Sequence, residues 1–197
     1  MPTPRLTRRH ILAAAFVPLP TDPRVILATP FGAIHITLFA RQAPLSAADF
    51  LRYVDAGAYN GGHLFRVVRP GNDHGNPPIA VVQGGIKFPK LAGPPIRHEP
   101  TGLTGLRHRN GTISLTRDAP GTGSGAEFFI CVGDQPGLDE GGHRNKDGKG
   151  FAAFGTVTQG MEAVRQIWML PADGPSTDTY TRGQILTDPV TFTAARG

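Results

Sequence analysis

His63-Leu-Phe-Arg-Val-Val, Val81-Val-Gln-Gly-Gly and Gly125-Ala-Glu-Phe-Phe-Ile-Cys decide the reading of this 197-residue chain. Each clusters apolar residues as a strand does, and each carries one long polar side chain within the run: Arg66, Gln83 and Glu127. Successive residues of a strand point to opposite faces. Apolar residues on one face and a polar group on the other predict a site built on a rigid sheet.

The rest of the chain supplies more strands than helices. Arg24-Val-Ile-Leu-Ala and Ala33-Ile-His-Ile-Thr-Leu-Phe read as a hairpin around Thr29-Pro-Phe-Gly. In the second strand Ile34, Ile36 and Leu38 share a face, which turns His35 outward. Pro44 to Gly57 reads as a helix, with Ser46 as its cap and Phe50, Leu51 and Val54 as its apolar stripe. Phe65 to Val68, Ile79 to Gln83, Gly111 to Leu115, Glu127 to Val132, Phe151 to Val157 and Ile185 to Thr193 read as further strands, and Gly160 to Met169 as a second helix. Residues 84 to 111 read as loop. With 26 glycines, 19 prolines and no βαβ alternation, the expected fold is mainly β: a closed eight-stranded antiparallel barrel capped by two helices. Residues 24 to 197 form its single domain.

Composition excludes several classes. At 39% hydrophobic and 18% charged residues the chain reads as globular, and no apolar run approaches the ~20 residues of a membrane span. The net charge is +5, but Arg5, Arg8 and Arg9 supply more than half of that excess. No basic face for nucleic acid is left, and Arg107-His-Arg-Asn reads as a solvated loop. Cys131, the single cysteine, reads as a small buried hydrophobe. Residues 1 to 23 read as a leader. Thr7-Arg-Arg-His-Ile-Leu-Ala-Ala-Ala resembles a twin-arginine export signal, which points to the periplasm; the alternative is a cytoplasmic leader.

The three segments, followed by Phe154-Gly-Thr-Val and Gly160-Met-Glu-Ala-Val, resemble the cyclophilin family of peptidyl-prolyl isomerases across residues 24 to 192. That resemblance implies the same barrel and a defined reaction, rotation about the Xaa-Pro amide. The barrier is ~18–20 kcal/mol because the C–N bond has partial double-bond character. No bond is made or broken, so neither nucleophile nor cofactor is implied. A fixed cation or donor near the prolyl nitrogen binds the twisted amide better than either planar state. By resemblance Arg66 takes this role, and Gln83 steadies it or binds substrate backbone. Phe129 forms the floor of the proline pocket. Val81, Leu138 and Phe151 complete it, together with Ile79 or Ala80 on the wall. Arg69 reads as a loop residue. The implied partners are proline-containing peptides and folding proteins, with the chain expected to act as a monomer.

The chain departs from the family pattern at four places. Glu127 replaces glutamine, and an ion pair with Arg66 is expected. Gly137 stands where cyclosporin-sensitive members have tryptophan, so cyclosporin binding is expected to be weak. Phe151 and Phe65 replace histidines. A proline-binding module of low catalytic power is the alternative function. Three other constellations carry no function: His143 to Gly150 lacks a full calcium-loop pattern, the histidines lack metal-ligand spacing, and Ser124 lacks a nucleophile elbow.

Overall fold

Eight strands pair antiparallel in one closed ring. They are β1 (Arg24–Thr29), β2 (Gly32–Leu38), β3 (Gly62–Val68), β4 (Val81–Gly85), β5 (Thr112–Leu115), β6 (Glu127–Cys131), β7 (Ala152–Gln159) and β8 (Ile185–Arg196). Around the barrel they run β1-β2-β7-β5-β6-β4-β3-β8. The computed structural model describes residues 22–86 and 93–197. The leader with its twin-arginine-like motif therefore lies almost wholly outside the described residues. Among the described residues, no helix is long and apolar enough to cross a membrane.

The expected barrel is present, with one helix more than expected. Besides α1 (Pro44–Asp55) and α3 (Met161–Trp168), a single turn α2 (Thr101–Thr104) interrupts the proline-rich stretch that reads as loop. A lone turn lacks the apolar periodicity that marks a longer helix.

The start of α1 also differs. Its N-cap is Ala43, with Pro44 opening the helix, and Ser46 lies inside the first turn. The cap comes from 53 residues away: Glu99 accepts from the amides of Leu45 at 3.1 Å and Ser46 at 2.8 Å, and from the Ser46 hydroxyl at 2.7 Å. A carboxylate satisfies free amides at the positive end of a helix better than a serine hydroxyl does. Asp49, in the second turn, accepts from the Gly125 amide at 2.7 Å and from Arg52. At the other end Gly57 takes the left-handed conformation (φ 64°) just past the helix. The stripe of Phe50, Leu51 and Val54 is buried, as its spacing requires.

The main core is aromatic. Phe50 meets Phe128 edge-on at 5.6 Å and Phe154 at 5.2 Å, while Tyr59 lies 5.8 Å from Phe192. A second, smaller cluster of Val68, Ile79, Val81, Phe129, Cys131 and Leu138, with Phe151 against it, sits on the other face of β4 and β6. Strand alternation separates the two: Phe128 and Ile130 enter the main core, Phe129 and Cys131 the smaller one. The register of β3 shifts between Leu64 and Arg66. Leu64 and Val67, three residues apart, are thereby both buried, while Phe65 and Arg66 remain partly accessible. Ile79 lies two residues before β4, in the loop that leads into it. Its amide is held by Asp73 at 2.8 Å, which uses the donor a ladder would otherwise take.

Candidate active site

Three sheet pairings set the site. Arg66 on β3 stands opposite Gln83 on β4, Gln83 opposite Phe129 on β6, and Phe129 opposite Ser114 on β5. The row crosses four neighbouring strands, so a cation, an amide and an aromatic ring lie side by side on one rigid face.

This face lines a cleft of about 620 Å³. All eight residues singled out from the sequence border it: Arg66, Ile79, Val81, Gln83, Glu127, Phe129, Leu138 and Phe151. Phe129 and Phe151 meet edge-to-face at 5.3 Å and 89°, giving the cleft an apolar corner. Leu138 contributes from a short 3-10 turn, Pro136–Leu138. The corner is held from outside by Arg117, whose guanidinium lies 5.5 Å from the Phe151 ring and forms a two-pronged pair with Asp147 at 2.8 and 2.9 Å.

Arg66 is clamped in its own plane. Its Nη1 donates to Gln83 Oε1 at 2.8 Å; its Nε and Nη2 donate to Gln184 Oε1 at 2.9 and 2.5 Å. Three of its five N–H bonds are thus committed, which leaves one on each terminal nitrogen. Burial pushes the Arg66 guanidinium below its usual pKa, and nearby Tyr180 pushes it back up. An arginine stays charged under such pressure where a lysine would not.

The expected ion pair between Arg66 and Glu127 does not form. Gln83 stands between them, and its Nε2 donates to Glu127 Oε2 at 3.2 Å. Its carbonyl thus faces the cation and its amino group the anion. Glu127 therefore acts on Arg66 through one intervening amide rather than by direct contact.

Gln184 was not among the residues picked out from the sequence. It is fully buried and its Nε2 donates to the Asn72 carbonyl at 2.7 Å. It comes from a polar loop 118 residues downstream of Arg66, so no local pattern marks it. His108 is the second omission. The run Arg107-His-Arg109 is solvated at its arginines, but His108 is 1% exposed. Its ring stacks on Phe129 at 5.9 Å. One ring nitrogen bonds Asp139 at 2.8 Å and the other Ser114 at 3.0 Å. The order Ser-His-Asp is that of a hydrolase triad, yet Ser114 is fully buried, so no substrate reaches its hydroxyl. The trio packs behind the pocket floor.

The departure at Gly137 has a physical explanation. A side chain there meets Pro77 almost at once: a Cβ atom comes within 2.5 Å of the Pro77 ring. The loop 69–78 occupies the space that a tryptophan would need. Arg69, on the same loop, serves structure. It donates from Nε to the Trp168 carbonyl at 2.7 Å, and from Nη2 to the Leu170 carbonyl, at the C-terminal end of α3. Cys131 is fully buried, and burial raises its thiol far above the range of a nucleophile. Among the described residues no group of three or more acidic, histidine or cysteine side chains is placed to hold a metal.

Comparison with known proteins agrees with the geometry. The profile of the cyclophilin type peptidyl-prolyl cis-trans isomerase family matches residues 24–187. Peptidyl-prolyl cis-trans isomerase A of Dickeya dadantii is 36% identical over 151 residues, covering 75% of this chain and 72% of that protein. A peptidyl-prolyl cis-trans isomerase of Acinetobacter baylyi is 31% identical over 179 residues, covering 89% and 80%. A cyclophilin type isomerase of Cryptosporidium parvum superposes with a TM-score of 0.66 over 89% of this chain and 98% of its own, at 18% identity. The same protein has been solved in the presence of the dipeptide Ala-Pro. The chain belongs to the cyclophilin type peptidyl-prolyl cis-trans isomerase family.

Proposed function

We propose that this chain accelerates cis/trans exchange of Xaa-Pro bonds in extended peptides, with Arg66 as the catalytic residue. The clamping of Arg66 by Gln83 and Gln184 at the edge of an apolar corner is the observation that carries this reading. The proline ring occupies the corner formed by Phe129, Phe151, Leu138, Val81 and Ile79. The two uncommitted N–H groups of Arg66 then meet the prolyl nitrogen as it turns pyramidal. In the planar amide that nitrogen's lone pair is delocalised, so the contact gains strength only in the twisted state. Because the guanidinium is already fixed, little reorganisation is needed at the moment of rotation. Gln83 holds the cation, and with Glu127 it offers polar groups to the substrate backbone. In this reading the chain acts as a monomer on proline-containing peptides and folding proteins.

The test is exchange spectroscopy on an Ala-Pro-Phe peptide with substoichiometric protein. Uncatalysed exchange takes tens to hundreds of seconds. Exchange cross-peaks on the second timescale support the isomerase. Peptide binding without cross-peaks moves the weight to a binding module, in which Glu127 has quenched the cation through Gln83.

A further inference from the structure

We propose that Tyr180 is a positioning residue for Arg66: the guanidinium lies over its ring, and a buried arginine–aspartate pair holds the ring there. This inference rests on the isomerase reading above and adds a residue to it.

Tyr180 lies in the loop between α3 and β8, 42% exposed, and borders the cleft. The Arg66 guanidinium carbon is 5.7 Å from its ring centroid, within cation–π range. Its hydroxyl accepts from Arg144 Nη2 at 2.7 Å. Arg144 in turn donates to both carboxylate oxygens of Asp73 at 2.7 Å, and to the Pro77 carbonyl at 2.8 Å. The side chains of Arg144 and Asp73 are 3% and 0% exposed, so this support is closed to solvent. The Tyr180 amide is fixed by Asp178 Oδ1 at 2.9 Å. An exposed aromatic side chain is thus tied down at both its backbone and its tip.

The choice of an aromatic ring has a chemical reason. Gln83 and Gln184 hold the edges of Arg66 and fix it within its plane, but neither stops it tilting out of that plane. A third acceptor would consume an N–H that the prolyl nitrogen requires. An aromatic ring under the guanidinium carbon attracts the cation through its π face and adds no acceptor to those Arg66 already has. Asp73 offsets the charge of Arg144, so the second guanidinium supports the ring without adding a net cation beside Arg66.

The experiment compares wild type, Tyr180→Leu and Tyr180→Phe by two readouts. One is the Arg66 Nε–Hε signal in a nitrogen-edited spectrum, identified by its loss in Arg66→Ala. The other is kcat and KM for exchange of an Xaa-Pro peptide. Leucine should shift the Arg66 signal, speed its exchange with water, and lower kcat by about five- to tenfold with little change in KM. Phenylalanine keeps the ring but loses the bond from Arg144, so it should recover part of both losses and fall between leucine and wild type. Wild-type signal and kcat in Tyr180→Leu would overturn the proposal, as would a Phe variant no better than the Leu variant. An inactive wild type contradicts the isomerase reading alone, because the Arg66 signal still reports whether the ring positions it.

Discussion

Gln184 Oε1 accepts two hydrogen bonds from Arg66, one from Nε and one from Nη2, and so fixes the orientation of the only arginine in the row formed with Gln83 and Phe129. The carbonyl oxygen of a buried glutamine is well suited to this. It attracts the guanidinium without neutralising it, and burial prevents water from competing.

Replacing Gln184 with leucine should therefore leave Arg66 charged but unaimed. We expect kcat/KM to fall about tenfold or more, equivalent to about 1.4 kcal/mol of transition-state stabilisation. Gln184→Glu keeps the acceptor and should retain orientation, at some cost in electrostatic strength. Steady-state exchange rates for both variants check this. A leucine variant with wild-type kcat/KM would remove Gln184 from the account.

Glu127 acts on Arg66 through Gln83, and Glu127→Gln preserves an oxygen at the point where Gln83 donates. The substitution should raise kcat/KM by no more than about threefold, since the charge it removes is not in contact with the guanidinium. A rise of more than tenfold, measured on the same peptide, would mean that the carboxylate quenches Arg66 directly.

The reading from sequence succeeded where information is local. Gln83 and Phe129 each lie on a short strand whose alternation fixes the face they occupy; the face of Arg66 depends on the bulge before it, and its role came from the family resemblance alone. It failed where a contact spans the chain. Gln184 sits in a polar loop with no periodicity. His108 is hidden between two solvated arginines, and its burial depends on Asp139 and Ser114 arriving from other elements. Glu99 caps α1 from a proline-rich stretch that reads as loop. The bulge in β3 is equally silent, because apolar residues at Leu64 and Val67 break simple alternation without saying why.

Acid should weaken the fold in a defined window. Asp147 is drawn down to about 2 by the hydrogen bonds from Arg117 and the Lys149 amide. Asp139 and Asp73 also lie below the usual range: burial opposes their ionisation, but bonds from His108 and from Arg144 outweigh it. An unfolded aspartate titrates near 3.9, so these groups contribute fully above about pH 4 and lose their contribution as pH falls toward 2. Asp147→Asn should cost about 1 kcal/mol or less at pH 7, given that its side chain is 33% exposed, and the difference from wild type should vanish near pH 2. Denaturant unfolding at pH 7, 4 and 2.5 measures it. A difference that grows on acidification would contradict the assignment.

Introducing the missing aromatic should not restore drug binding. Gly137→Trp places a Cβ against Pro77, so the loop 69–78 must shift. We expect a loss of about 1–3 kcal/mol in stability and no tight cyclosporin inhibition. Thermal melts and inhibition titrations test both. Tight inhibition in the variant with an unchanged melting temperature would show that the loop yields freely.

The most direct test of the central claim is exchange spectroscopy on an Ala-Pro-Phe peptide with wild type and Arg66→Ala side by side, each shown to be folded and to bind the peptide. The account predicts strong acceleration by wild type and its near-complete loss in the variant, with peptide affinity changed far less than rate. Acceleration that survives the loss of Arg66 would contradict it.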